Sequence, residues 1–172
     1  MNIDLREENL NAYKNSFGLH YYSILAYLST CFNDSIIVDL GTLDGNSAGA
    51  LSYNKSNKIY TYDIESKETA VSKFELEEFK DIEYIITNCI KDNWAHQRDR
   101  DIFLSSKLIF LDVDPHDGIQ EEIVLRFLVE NDWKGIMICD DIGSILVERP
   151  LHLGMRQWWD SIDLPKFDIV NR

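Results

Sequence analysis

The feature that most constrains the fold is a short apolar segment that recurs along the chain and ends each time in an acidic or amide residue. Each copy has the length of a strand and is rich in Ile, Val, Tyr and Phe, so each is predicted to form a β-strand. The five copies occupy residues 35–40, 58–63, 82–88, 107–112 and 135–140. A further segment, KFDIV at residues 166–170, is predicted to form a sixth strand.

Between these segments the apolar residues are three or four positions apart, which is the spacing of amphipathic helices. The predicted helices cover residues 19–32, a stretch that begins near residue 48, and residues 66–80, 118–133 and 155–162. Strands that alternate with helices favour right-handed crossovers and a parallel sheet. The predicted fold is therefore an α/β, doubly wound, Rossmann-like and mostly parallel sheet with helices on both faces. Ligands of such sheets bind beyond the carboxyl ends of the strands.

The 172 residues are predicted to form a single domain, because the chain contains no repeat and no linker rich in Pro, Gly or Ser. Residues 1–34 are predicted as an N-terminal helical cover. Residues 35–142 are predicted as the ligand-binding core, and residues 143–172 as a C-terminal helix and strand.

The net charge limits the classes of binding partner that the sequence predicts. Thirty Asp and Glu residues against seventeen Lys and Arg give a net charge of −13, which argues against binding nucleic acid or anionic membrane surfaces. Cations, metal ions and small molecules are the expected partners. No apolar run reaches the length of a membrane span and the acidic N-terminus lacks signal-peptide features, so a cytoplasmic location is expected. Cys31, Cys89 and Cys139 form no CxxC pair, which favours reduced structural thiols.

A glycine-containing turn follows the first predicted strand. Asp39 ends that strand, Gly41 and Gly45 permit a tight turn, and Ser47 lies where the next helix begins. The dinucleotide pattern GxGxxG is absent because position 43 is Leu, and the chain has no P-loop. The turn therefore indicates close approach of the backbone to a ligand, without favouring a pyrophosphate.

Asp63 ends the second predicted strand, about 20 residues after the turn, the offset at which a carboxylate contacts ribose hydroxyls in dinucleotide folds. An alternative interpretation is that Asp39 and Asp63 are simply polar residues where strands meet loops. The glycine turn between them favours a ligand site.

Together these motifs resemble those of class I S-adenosylmethionine-dependent methyltransferases: a strand, the pattern DxGxxxGxS from Asp39 to Ser47, and an acid at the end of the next strand. The resemblance covers residues 35–142. It implies that the turn holds the methionine part of the cofactor, that Asp63 holds the ribose diol, and that the region of Asn88 lies on the adenine side. The cofactor contacts it implies are Asp39, Gly41, Thr42, Gly45, Asn46, Ser47, Asp63, Ile64, Asn88 and Asp112.

A second acidic cluster follows the fourth and fifth predicted strands. Asp112 ends the fourth strand, and Asp140 and Asp141 end the fifth. Neighbouring parallel strands place their last residues at one edge of the sheet, where close carboxylates repel one another unless a cation lies between them. Oxygen ligands suit Mg²⁺, and also Ca²⁺ or Mn²⁺, better than zinc. A loop cap is the alternative role for Asp140 and Asp141.

The cluster is similar to that of metal-dependent O-methyltransferases of the catechol and the sugar or macrolide types, although the catechol type has Asp-Asn where this chain has Asp140-Asp141. The resemblance implies a metal site at Asp112, Asp140 and Asp141, and methyl transfer to a hydroxylated small-molecule acceptor whose hydroxyl is activated by the metal. His116 lies near this edge and is the candidate general base, or else a loop residue without a catalytic role. Asp114 and Asp117 are predicted as turn or cap residues.

Two other functions fit parts of the sequence. Asp112-Val113-Asp114 is a DxD pattern, which in nucleotide-sugar transferases holds a metal on a diphosphate, but it does not account for the glycine turn or Asp63. The other is a cofactor-binding or scaffolding domain without catalysis. The resembled fold also ends in an antiparallel strand, for which residues up to Arg172 leave no obvious candidate. Three interpretations stay open: the strand is missing, it is disordered, or the sequence is a fragment of a longer chain.

Overall fold

The computed structural model describes residues 20–91, 94–140, 142 and 151–167. The elements along the chain are α1 (His20–Ser29), β1 (Ile36–Leu40), α2 (Asn46–Leu51), β2 (Lys58–Asp63), α3 (Glu68–Phe74), β3 (Ile82–Ile86), α4 (Gln97–Ser105), β4 (Leu108–Leu111), α5 (Ile119–Glu130), β5 (Ile136–Cys139) and α6 (Leu151–Ser161), with a short 3-10 helix at Glu77–Phe79 after α3.

The five strands form one sheet in the order β3-β2-β1-β4-β5, and every neighbouring pair is parallel. Because β1 lies between β2 and β4, the strand order reverses beside it. This reversal is the topological switch point, where open α/β sheets bind ligands. The predicted doubly wound α/β fold is confirmed.

Helices cover both faces because alternate residues of each strand are apolar on both sides. Val38 and Leu40 of β1 point to a core that contains α4 and α5, with Phe103 and Phe127 at its centre. Ile37 points to the opposite core, formed with α1 and α2. Strands buried on both faces are typical of parallel sheets.

The helix α4 was not predicted from the sequence. Its segment, QRDRDIFLS, is strongly charged, yet Asp99, Ile102 and Phe103 are buried. The Tyr62 hydroxyl of β2 donates a hydrogen bond to Asp99 Oδ1 (3.1 Å), which satisfies a polar group on the buried side of this helix.

The structure describes only part of the predicted N-terminal cover and only part of the predicted C-terminal helix and strand. Of residues 1–34, the described helix α1 packs Leu25, Ala26 and Leu28 into the core beside α2, while residues 1–19 lie outside the described part. Lys166 and Phe167, the first two residues of the predicted sixth strand, are not in a strand. Its remaining residues, 168–170, lie outside the described part of the chain. No described helix is long and apolar enough to cross a membrane.

Candidate functional site

At the switch point, the loops that follow β1 and β4 are in direct contact. The Asp112 N–H donates to the Leu40 carbonyl (2.9 Å), which carries the β1–β4 pairing to the end of both strands. Gly41 has a φ of +99°, and a Cβ atom at this position would lie 1.7 Å from the Asp112 carbonyl oxygen. Only glycine therefore fits at position 41.

Residues 41–45, the glycine loop, form a tight turn. The Gly45 N–H donates to the Thr42 carbonyl at 2.7 Å. Gly45 has a φ of +71°, and a Cβ there would lie 2.6 Å from the Phe74 ring of α3. Leu43 also has a positive φ and leaves its side chain 63% exposed at the surface of the loop. The sequence correctly indicated a close turn, and both glycines are required by contacts within the protein.

Asp63, at the end of β2, holds this loop in place. Its Oδ2 accepts a hydrogen bond from the Leu43 N–H (2.9 Å), and its Oδ1 accepts one from the Glu65 N–H (3.1 Å). The carboxylate therefore has a structural role within the protein. Each carboxylate oxygen can accept more than one hydrogen bond, so this role leaves acceptor capacity for a ligand at the half-buried rim.

Beneath the loop lies the carboxyl group of Asp39, which is fully buried. Its Oδ2 accepts hydrogen bonds from Thr61 Oγ1 (2.5 Å) and Ser47 Oγ (3.2 Å). Its Oδ1 has no hydrogen-bond partner among the described residues. Burial is the largest cause that raises the pKa of Asp39 to about 7; the negative charges of Asp112 and Asp63 contribute to this rise, and the two hydrogen bonds oppose it. Both neighbouring acids at the switch point therefore disfavour the charge on Asp39.

The remaining predicted cofactor residues lie around the loop or after the neighbouring strand. Asn46 is exposed, and its Oδ1 accepts a hydrogen bond from Lys73 Nζ (2.6 Å). Ile64 is 65% exposed beside Asp63. Asn88 Oδ1 accepts the Lys91 N–H (2.9 Å) in the turn after β3. Sequence reasoning missed Lys73, a surface lysine of α3 whose position over the loop depends on tertiary packing.

On the other side of the switch point, Asp112 and Asp140 follow residues that are paired in the sheet. Leu111 is in register with Cys139, and the Asp140 N–H donates to the Leu111 carbonyl (3.1 Å). The two acids are thus at the same edge, as neighbouring parallel strands require. Asp141 lies outside the described residues. Within the part that the structure describes, no three His, Cys, Asp or Glu side chains are grouped closely enough to hold a metal ion.

His116 is close to the same edge. Its Nε2 lies 3.5 Å from Asp112 Oδ1 and 3.7 Å from Asp114 Oδ1, and its side chain is largely buried. Asp114 is fully exposed, whereas Asp117 Oδ1 accepts the Ile119 N–H (2.9 Å) at the start of α5. The imidazole is therefore adjacent to a carboxylate at this edge of the sheet.

Glu121 is a buried acid near His116 that sequence reasoning missed. It lies in the first turn of α5, is 1% exposed, and its Oε2 has no hydrogen-bond partner among the described residues. Burial raises the pKa of Glu121, and the nearby His116 opposes that rise. His116 and Glu121 are five positions apart in sequence. The position of Glu121 on one face of the predicted helix was the signal that could have identified it, but the adjacent Glu122 is equally acidic and obscured this signal.

A groove of about 680 Å³ between α5 and α6 lies outside the predicted site. Phe127 and Trp158 line it, and none of the predicted cofactor or metal residues does. Trp158 is 8% exposed and its Nε1 donates to Glu122 Oε2 (3.0 Å), so its indole is mainly a packing group. The concave shape of this groove therefore does not identify the site. The predicted cofactor and metal residues that the structure describes lie instead within and after the carboxyl ends of the strands.

The fold is that of a class of α/β methyltransferase structures, as the sequence resemblance implied. The chain is similar to a structure described as a candidate O-methyltransferase from Klebsiella pneumoniae, with 15% identity, a TM-score of 0.59, and 93% of this chain and 78% of that chain covered. It is also similar to the cofactor-bound protein Rv0187 from MTB, with 15% identity, a TM-score of 0.62, and 92% and 77% of the two chains covered.

A third similar structure is an SAH-bound methyltransferase, PaMTH1, from Podospora anserina, with 16% identity and a TM-score of 0.51. The alignment covers 78% of this chain and 61% of that chain. No protein-family model matches the sequence, and no curated protein matches it significantly. At these identities the comparisons establish the fold, which is that of class I S-adenosylmethionine-dependent methyltransferases.

Proposed function

We propose that this protein is an S-adenosylmethionine-dependent methyltransferase that methylates a hydroxyl group of a small molecule. The observation that carries the proposal is the group of three carboxyl groups at the switch point, Asp39, Asp63 and Asp112. Burial is the main cause of the raised pKa of Asp39, and repulsion by the charges of Asp112 and Asp63 adds to the rise. A cationic ligand relieves such repulsion. The sulfonium and ammonium groups of S-adenosylmethionine are cations.

The residues around the glycine loop fit this cofactor. The Asp63 carboxylate lies at the rim with further acceptor capacity, and the exposed side chains of Leu43 and Ile64 offer apolar surface. Below the loop, Asp39 Oδ1 is a buried acceptor without a described partner. When bound, S-adenosylmethionine supplies an electrophilic methyl group on its sulfonium sulfur.

The reacting edge is assigned to the ends of β4 and β5. His116 would accept the proton of the acceptor hydroxyl, and Asp112, 3.5 Å from its Nε2, would stabilise the resulting imidazolium. A deprotonated hydroxyl oxygen is the nucleophile that an in-line methyl transfer needs. The role of Asp63 and the glycine loop would be to orient the cofactor toward this edge.

A divalent cation is a further part of the proposal. The carboxylates of Asp112 and Asp140 have the oxygen chemistry that Mg²⁺, Ca²⁺ or Mn²⁺ prefers, and Asp141 would complete the set. A bound ion would lower the pKa of the acceptor hydroxyl and lessen the need for His116.

Calorimetric titration tests the cofactor site directly. S-adenosylmethionine and its demethylated product SAH are titrated into wild type, into Asp63→Ala and into Asp101→Ala, whose acid lies on the exposed side of α4. We expect binding to wild type and Asp101→Ala, and at least about tenfold weaker binding to Asp63→Ala, because hydrogen bonds to a charged group are each worth about 1.5–3 kcal/mol. Unchanged affinity in Asp63→Ala would show that the cofactor site is misplaced.

A second titration tests the metal and the reaction. Mg²⁺ is titrated into wild type and Asp140→Ala, and methyl transfer is followed with a panel of hydroxylated small molecules. Mg²⁺ binding that Asp140→Ala abolishes supports the metal site, and binding that survives this change contradicts it. Binding of a nucleotide sugar in place of S-adenosylmethionine would support the glycosyltransferase alternative. Cofactor binding without transfer to any acceptor would support a scaffolding role.

A further inference from the structure

We propose that Thr61, in the middle of β2, is a positioning residue for the glycine loop and so controls cofactor affinity without contacting the cofactor. This inference rests on the proposed function, because it takes the loop to be the cofactor site. Thr61 is fully buried, and its position in the sheet is directly opposite Asp39 of β1.

The hydrogen bonds of Thr61 have a defined direction. Its Oγ1 lies 2.5 Å from Asp39 Oδ2 and 2.7 Å from Thr42 Oγ1. A hydroxyl has one hydrogen to donate. Since Thr61 donates it to Asp39, the Thr42 hydroxyl must donate to Thr61, which gives a chain of donors from the glycine loop to the buried acid.

Two side chains of β2 thereby hold consecutive residues of the loop. Thr61 accepts the hydrogen bond of Thr42, and Asp63 accepts the N–H of Leu43. Residues two apart on a strand lie on the same face, so Thr61 and Asp63 act on the loop from one side. Thr42 also accepts the Gly45 N–H through its carbonyl, which means that holding Thr42 fixes both ends of the turn.

The test uses Thr61→Val, which keeps the shape of the side chain and removes the hydroxyl, together with Thr61→Ser, which restores it. The matched control is Ser106→Ala, which removes a buried hydroxyl that donates to the Phe103 carbonyl just before β4. We expect Thr61→Val to weaken SAH binding about fivefold, the value of one net hydrogen bond. Thr61→Ser should bind nearly as wild type does, and Ser106→Ala should bind unchanged.

Hydrogen exchange of the unliganded protein provides a readout that needs no cofactor. The amides of residues 41–45 should exchange faster in Thr61→Val than in wild type, and at the wild-type rate in Ser106→Ala. Unchanged exchange of these amides in Thr61→Val, or SAH affinity that falls equally in Ser106→Ala, would overturn the positioning role. If wild type does not bind SAH, the proposed function fails and the exchange rates alone decide the role of Thr61. If Thr61→Val does not fold, Thr42→Val removes the same loop contact and carries the same expectations.

Discussion

Replacing Asp39 by Asn should change how the stability of the protein depends on pH. The side chain is fully buried, and burial raises its pKa from an ordinary value of 3.8 to about 7. In the unfolded chain the carboxyl group loses its proton near its ordinary pKa, whereas in the folded protein it keeps that proton until about pH 7. The folded state therefore binds more protons in this window, and stability falls as the pH rises through it.

The size of the pH effect on stability follows from the shift in the pKa of Asp39. One pKa unit corresponds to about 1.4 kcal/mol, so the whole shift from 3.8 to about 7 amounts to roughly 4 kcal/mol. Between pH 5 and pH 8 the folded state keeps its extra proton over about two pH units, which corresponds to a loss of about 2.5 kcal/mol in the free energy of unfolding.

Urea unfolding at pH 5 and pH 8 measures this loss for wild type and Asp39→Asn. The Asn carbonyl can accept the same hydrogen bonds from Thr61 and Ser47, but the amide does not ionise. The free energy of unfolding of the variant minus that of wild type should therefore rise by about 2.5 kcal/mol from pH 5 to pH 8. Other titrating groups cancel in this difference. Glu75→Gln, at the exposed end of α3, is the control for the loss of one negative charge.

A difference that is the same at both pH values would refute the reasoning, because it would mean that Asp39 is already ionised in the folded protein at pH 5. A difference that falls with pH would refute it more strongly. Either result would show that burial and the neighbouring acids do not raise the pKa of Asp39.

Three further predictions concern single residues. Gly41→Ala should lower the free energy of unfolding by more than about 3 kcal/mol in urea titrations, because its Cβ would overlap the Asp112 carbonyl. Tyr62→Phe should cost about 1–3 kcal/mol by the same measurement, since it removes a donor to the buried Asp99. The advantage of Glu121→Gln over wild type in unfolding temperature should grow from pH 5 to pH 8, because burial raises the pKa of this acid and Gln does not ionise. A milder Gly41→Ala, a neutral Tyr62→Phe or a pH-independent Glu121→Gln would each contradict its prediction.

The strands were predictable because the hydrophobic pattern acts locally. Each strand is four to six residues long and rich in apolar residues, which fill both sides of a parallel sheet. β2 matches its predicted bounds, Lys58–Asp63. The helix α4 was not predictable in this way, because its segment is strongly charged and the burial of Asp99 is compensated by a hydrogen bond from Tyr62, which lies far from it in sequence.

The residues of the site likewise divide into those that a local sequence pattern predicts and those that it does not. The glycine turn and Asp63 carry a local pattern, and the structure brings them into contact. Thr61 carries no such pattern, since a threonine within a strand is ordinary. Only the register that places it opposite Asp39 brings it into contact with the residues beneath the loop. Glu121 was missed for a similar reason. Sequence patterns identify residues that end strands, but residues that act through a neighbouring strand or helix depend on the register and packing of the folded chain.

The two sides of the proposed site are built differently, and this difference separates binding from chemistry. On the β1–β2 side, Asp63 and Thr61 hold the backbone and the hydroxyl of the glycine loop. Changes there should weaken cofactor binding, and should alter the KM for the cofactor more than kcat. On the β4–β5 side, His116 Nε2 lies 3.5 Å from Asp112 Oδ1, and in the proposed mechanism His116 would accept the proton of the acceptor hydroxyl. Since proton transfer occurs only in the reacting complex, changes at His116 should lower kcat with little effect on SAH affinity. A single site that held the cofactor through both sides equally would not show this separation.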